Sequence, residues 1–308
     1  MWTFLIITLL TGMLVPIQTA ANARMRTSVG PAFVVTLISF VVSACCLLAV
    51  SVACGIPILP SVLQFADAPW WSWTGGIIAL LTITVVIYMF KALGQLQTVI
   101  LPLLGQLSFS LVIDNFGLFG SVRIPFSAIR IVAMLLVGVG VLSVIVFPNL
   151  GSKRQEVSKD IHTLMWQISG IAAGCLMASL GAIYGTLGTH LGSAIQASTL
   201  SFLIATCVII AVCATNGSII HVRKVFVRGN PWWMWLGGVC GAISVFGNAW
   251  LIPKIGTGVF FTALLFGQML LSLCMEEYGW MGATKRRITL IQIAGIVLMF
   301  AGVALIRL

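Results

Sequence analysis

Residues 69–76 read Pro-Trp-Trp-Ser-Trp-Thr-Gly-Gly, and residues 231–238 read Pro-Trp-Trp-Met-Trp-Leu-Gly-Gly. The second stretch follows the first at a shift of 162 positions, and the same shift, without a gap, pairs much else. Gly94 meets Gly256, Gly105-Gln106 meets Gly267-Gln268, Ser110 meets Ser272, Asp114 meets Glu276, and Gly117 and Gly120 meet Gly279 and Gly282. Towards the amino terminus, Gly12 meets Gly174, Gly30 meets Gly192, and Ser39-Phe40 meets Ser201-Phe202. Motifs held in one register across two halves mark an internal duplication, because composition alone does not hold a register.

The repeated units are apolar. Of 308 residues, 60% are hydrophobic and 7% are charged, whereas a soluble domain carries about a quarter of its residues as charges. Ten continuous apolar stretches can be marked: Trp2–Ala23, Pro31–Cys54, Trp71–Phe90, Thr98–Asp114, Ala128–Phe147, Leu164–Leu187, Gly192–Ala214, Trp233–Ile252, Gly258–Glu276 and Thr289–Ile306. A membrane-spanning helix needs about 20 such residues. A membrane β-barrel would instead alternate apolar and polar residues along each strand. The expected fold is therefore an all-α integral membrane protein of ten transmembrane helices. Its halves are 1–147 and 164–308, joined by a polar linker at 148–163 that contains Lys153, Arg154, Glu156, Lys159 and Asp160. The first run ends in Ala21-Asn22-Ala23-Arg24, which has some likeness to a signal-peptidase site. It lacks a basic region before it and is long enough to span, so it is expected to be the first transmembrane helix.

Five spans per half is an odd number, so the second copy must enter the membrane from the opposite side. The basic residues test this independently. With loops assigned alternately to two faces, one face receives Arg24, Arg26, Lys91, Lys153, Arg154, Lys159, Arg223, Lys224, Arg228, Lys285, Arg286 and Arg287. The other receives Arg123, Arg130, Lys254 and Arg307. The richly basic face is expected to be cytoplasmic, with the linker on it and both termini opposite. Equivalent loops carry opposite bias, as an inverted repeat requires, and secondary transporters commonly use that architecture.

Polar side chains at membrane depth are the informative ones, since each needs a partner in hydrocarbon. Gln18 and Asn22 lie four apart and share a helical face, two residues beyond Pro16. They line a central cavity or bond neighbouring helices. Gln106 and Gln268 occupy the repeated Gly-Gln-x-x-x-Ser pattern, and are either substrate contacts or a structural clamp. Asp114 and Glu276 are candidates for proton coupling; the alternative is a pair of interfacial carboxylates near helix ends. Tyr88, Tyr184, Asn248 and Trp250 are further candidates for substrate binding, and the Pro-Trp-Trp-x-Trp entries fit interfacial anchors. Gly170, Gly174, Ala178, Gly181 and Gly185 form a stripe suited to close helix packing.

No P-loop, HExxH or GxSxG occurs, and His162, His190 and His221 are isolated, so neither an enzyme nor a metal site is expected. The eight cysteines form no CxxC and read as small apolar residues. The net charge of +10 is scattered between apolar runs, unlike the continuous basic patch of a nucleic-acid binder. No cofactor and no nucleic acid are expected; the partners are the lipid bilayer and a small-molecule substrate.

Gly12, Pro16, Gln18, Asn22, Ser39-Phe40, the Pro-Trp-Trp-x-Trp-x-Gly-Gly entry and Gly105-Gln106…Asp114-x-Phe116-Gly117 together resemble the YdcZ-type branch of the drug/metabolite transporter superfamily. Many members of that branch are single five-helix units, and this chain resembles a tandem fusion of two. The second half departs from the pattern, with Ala178, Leu180 and Tyr184 where the first has Pro16, Gln18 and Asn22. The resemblance implies a multi-pass protein of a bacterial inner membrane, working as a monomer because both repeats share one chain. The motifs are also similar to small multidrug transporters, which use an acid in their first helix. Neither equivalent helix here carries one, which counts against a direct carry-over of cation antiport. The function expected is secondary transport of a small metabolite or drug-like molecule by alternating access. The alternatives are a non-transporting scaffold or partner subunit, and a channel.

Overall fold

The computed structural model describes residues 2–146, 161–227, 229–283 and 285–305. It is built of helices: α1 (Trp2–Val29), α2 (Ala32–Ala53), α3 (Trp70–Phe90), α4 (Gln97–Phe116), α5 (Ala128–Val146), α6 (Ile161–Leu191), α7 (Ala194–Thr215), α8 (Leu236–Ile255), α9 (Thr257–Tyr278) and α10 (Leu290–Leu305). Among the described residues, nine helices are long and apolar enough to cross a membrane, and α10 is a shorter apolar helix. α1 runs through Pro16 as a single helix. The polar linker lies outside the described residues except for its last three, which open α6.

Helices α3 and α4 form one helical run from Gly75 to Phe116, broken at Gly94 (φ 76°, ψ 178°). Its counterpart Gly256 (φ 84°, ψ 159°) separates α8 from α9 in the same way. Both conformations are closed to residues bearing a Cβ, which explains a glycine at this repeated position. Each half thus bends its third and fourth helices about one point.

The contacts between halves establish the inversion. A Cβ added at Gly140 of α5 would stand 2.6 Å from the carbonyl oxygen of Gly295 on α10, and one at Gly302 would stand 2.6 Å from that of Ala133. Gly302 is the counterpart of Gly140, and Gly295 that of Ala133. One contact is therefore seen twice, related by a twofold axis, between helices that run antiparallel. Equivalent helices that cross a membrane in opposite directions need an axis in the membrane plane. Phe40 and Phe202, also counterparts, pack edge to face at 5.5 Å where α2 meets α7.

Helices α1 and α6 bind the halves together. α1 packs on α8 and α9, and α6 packs on α3 and α4. At the first crossing, a Cβ at Gly12 would overlap the Leu264 carbonyl, and one at Gly267 the Leu9 carbonyl. At the second, Gly174 stands against the Pro102 carbonyl and Gly105 against that of Ile171. The stripe along α6 is likewise spent on packing: Gly170 meets Met89 and Leu101, Gly181 meets Ile252 and Phe261, and Gly185 meets Pro253. Lipid offers no hydrophobic drive for helix association, so backbone proximity through small residues supplies it. Gly267→Val is expected to destabilise the bundle by about 1–3 kcal/mol through overpacking. Thermal unfolding in lipid nanodiscs measures it, and an unchanged midpoint would refute the crossing.

Candidate functional site

Asp114, at the end of α4, is fully buried, and Arg130, in the first turn of α5, is nearly so. The Arg130 Nη2 donates to Asp114 Oδ2 at 2.7 Å, while its Nη1 donates to the Ile124 carbonyl at 3.0 Å. The backbone N–H groups of Thr257 and Gly258 donate to the same carboxylate at 2.8 and 3.0 Å. Those groups open α9, whose N-cap is Gly256 and has no side chain to offer. A helix start leaves N–H groups without intrahelical acceptors and carries partial positive charge, so a carboxylate from the other half satisfies both needs. Asp114 is thus a cap and an ion-pair partner at once. Arg130, counted by sequence among the charges of its membrane face, is an interior residue.

The repeat conserves the backbone here and changes the chemistry. Ile124 N donates to the Asp114 carbonyl, and Arg286 N donates in the same manner to the Glu276 carbonyl. At the counterpart of Arg130 stands Gln292, whose Oε1 accepts from the Thr289 N–H and hydroxyl. Glu276 is half-buried; no side-chain hydrogen bond ties its carboxylate among the described residues, and the Arg286 charge acts on it. One carboxylate is locked; the other is not.

The candidate amides fall into two places. Gln18 and Asn22 lie on the α1 face turned to α2 and α8: Ser39 donates to the Asn22 Oδ1 at 2.7 Å, Asn22 abuts Gly237, and the Gln18 amide lies over Gly241 beside Ser43. Gln106 lies at mid-helix where α4 crosses α6, its backbone N against Gly174, and Gln268 directly follows the Gly267 crossing of α9 with α1. Among the described residues, the side chains of Gln18, Gln106 and Gln268 make no hydrogen bond, and none of their polar atoms is fully enclosed. The seam at Asn22 and Gly237 recurs in the other half as Tyr184 packed on Gly75.

The remaining candidates are dispersed. Tyr184 is buried and Tyr88 about half exposed. Asn248 donates to the Ser244 carbonyl of its own helix and touches the position of a Gly181 Cβ. Trp250 stacks on Phe246, meets Phe4 edge to face, and carries the Lys254 ammonium 3.9 Å above its ring.

One feature escaped sequence reasoning. Ile17, Trp233, Leu271, Met275, Trp280 and Met281 line a half-open cavity of about 340 Å³ between α1, α9 and the turns that precede α8 and follow α9. Trp233 stands just before the start of α8, and Met275, Trp280 and Met281 stand at the end of α9 and in the turn beyond it. In the other half the counterpart tryptophan is met by a ring of the chain itself. There Phe119 packs edge to face on Trp71 at 5.7 Å, and the Thr186 hydroxyl of α6 donates to the Phe119 carbonyl. Met281, the counterpart of Phe119, has the same left-handed backbone (φ 52° against 55°), brings no ring, and lines the cavity together with Trp233. The repeated Gly-x-x-Gly turns, Gly117–Gly120 and Gly279–Gly282, were the available signal.

Residues 3–143 and 165–305 each match one family, described as "Putative inner membrane exporter, YdcZ". No curated protein matches the chain. A solved crystal structure is similar in fold, with a TM-score of 0.67 and 15% identity over 97% of this chain and 96% of that one.

Proposed function

The chain belongs to the YdcZ family of the drug/metabolite transporter superfamily, as a tandem of two repeats, and from that premise we propose that it moves a small molecule across the membrane by alternating access. The observation that carries this reading is the unequal state of two equivalent places. The niche over Trp233 is open as a cavity, while the niche over Trp71 is closed by Phe119 and tied to α6 by Thr186. In this reading the inversion puts the two niches at opposite membrane faces, one open and the other shut. Exchange of the two states between halves would carry a substrate across. The hinges at Gly94 and Gly256 let the third and fourth helices of each half swing about one point. The open niche lies on the basic face, which the positive-inside rule makes cytoplasmic.

In this reading Gln18, Gln106 and Gln268, whose amides keep spare donors and acceptors, contact substrate along the path. Asn22, Tyr88, Tyr184, Asn248 and Trp250 shape the walls. Asp114 holds the halves together, and Glu276 carries any coupling proton. Solute counterflow in proteoliposomes tests the transporter reading: uptake of labelled solute must be accelerated by unlabelled solute on the far side. Saturation without acceleration would indicate a channel, and no flux for any solute a scaffold. Gln106→Ala with Gln268→Ala is expected to lower flux at least tenfold while folded protein stays within twofold; normal flux would return both residues to a structural role. Glu276→Gln is expected to flatten the pH dependence of flux between pH 5 and 8, measured with imposed pH steps; an unchanged profile would acquit it.

A further inference from the structure

We propose that the cavity over Trp233 is a binding site for an uncharged small molecule bearing an aromatic ring. This rests on the transporter reading and adds the substrate class. The inverted repeat supplies an internal comparison of one niche in two states. Over Trp71 the niche is filled by the chain's own aromatic ring, Phe119, at 5.7 Å and 70°. Over Trp233 the counterpart residue is Met281, on the same backbone conformation, and Trp233 has no ring contact among the described residues. The niche in the first half thus receives a ring against an indole, whereas in the second half no ring of the described residues is set against Trp233, Trp280 standing instead in the cavity wall.

The walls define the rest of the ligand. Ile17, Leu271, Met275 and Met281 are apolar, and among the described residues no charged side chain lines the cavity. An ionic ligand would be desolvated there without a counter-charge. Thioethers pack well on ring edges and adapt to different outlines, which suits two methionines beside one tryptophan. A volume of about 340 Å³ lies at the small end of ligand pockets and suits a one- or two-ring molecule. Trp280, stacked on Tyr278 at 5.4 Å, forms the outer rim.

The test is equilibrium binding of tritiated 1-naphthol to the full-length protein in lipid nanodiscs, with empty nanodiscs subtracted. Decahydro-1-naphthol, of similar size but with saturated rings in place of the aromatic ones, is the competitor. Saturable binding is expected, with the competitor at least tenfold weaker. Trp233→Leu is expected to weaken naphthol at least tenfold by removing the stacking face. Met281→Phe is expected to do the same by filling the niche as Phe119 does, and its counterpart shows that this backbone accepts a phenylalanine. Trp70→Leu, an exposed tryptophan outside the cavity, is expected to leave affinity unchanged and controls for loss of aromatic content. Size-exclusion profiles establish that each variant is folded. Non-saturable binding, equal competition by the saturated analogue, or indifference to both Trp233→Leu and Met281→Phe would overturn the proposal. Counterflow of another solute alongside any of those results would leave the transporter reading intact. Naphthol binding that follows the expected pattern without any counterflow would retain the site and discard the transporter.

Discussion

Asp114→Ala is expected to destabilise the protein by about 3–5 kcal/mol, the usual loss when one member of a buried ion pair is removed. The reason is the Arg130 guanidinium, left nearly buried with a single remaining carbonyl acceptor. The first N–H groups of α9 lose their acceptor as well, since Gly256 offers no side chain. Arg130→Met in the same chain is expected to restore more than half of the loss, because two apolar residues leave no unpaired charge. It cannot restore all of it, because the cap on Thr257 and Gly258 is still missing. Chemical denaturation in mixed micelles measures the three variants. A single mutant as stable as the parent, or a double mutant worse than the single one, would show that the buried pair and the cap do not stabilise the fold. The same double mutant separates structure from coupling: if it folds and its flux keeps the parental pH dependence, Asp114 carries no transported proton.

The second large effect concerns the closed niche. In a chain with its native cysteines replaced, Trp71→Cys with Phe119→Cys places two thiols where the edge-to-face ring contact stands. A short bifunctional thiol cross-linker is expected to bring counterflow to background, at least a twentyfold loss, and a cleavable linker to restore it on reduction. Closure of one niche must be undone before the opposite one can close, so a permanent tie stops the cycle whichever solute is used. Full counterflow in protein shown by mass spectrometry to be cross-linked would sink alternating access through these niches. Thr186→Val, which removes the hydroxyl donor to the Phe119 carbonyl, offers a milder perturbation of the same closure. It shifts the balance of states by about the net worth of one hydrogen bond, roughly 1 kcal/mol.

The spans, the duplication and its inversion were legible in the sequence because each rests on a local or additive property. Hydropathy of about 20 residues decides a span, a shift of 162 positions exposes the copy, and loop charge reports its direction. The glycine pairs Gly94/Gly256 and Gly105/Gly267 were visible as repeated motifs, and their places at bends and crossings follow from the missing Cβ. Gln18 and Asn22 were correctly placed on one helical face, since helical periodicity is local.

What hydropathy and periodicity could not reach are relations between distant residues and differences between copies. Asp114 and Glu276 look alike as repeated carboxylates at helix ends. Their unlike states depend on Arg130 against Gln292 and, for Asp114, on the start of α9, 143 residues away. Arg130 read as a surface charge because its burial is set by helices that it meets only after assembly. The two niches share a tryptophan, a Gly-x-x-Gly turn and a left-handed residue, yet one is shut by a ring and the other is a cavity. Openness is a property of volume left between packed helices, and no pattern along a single chain encodes that remainder.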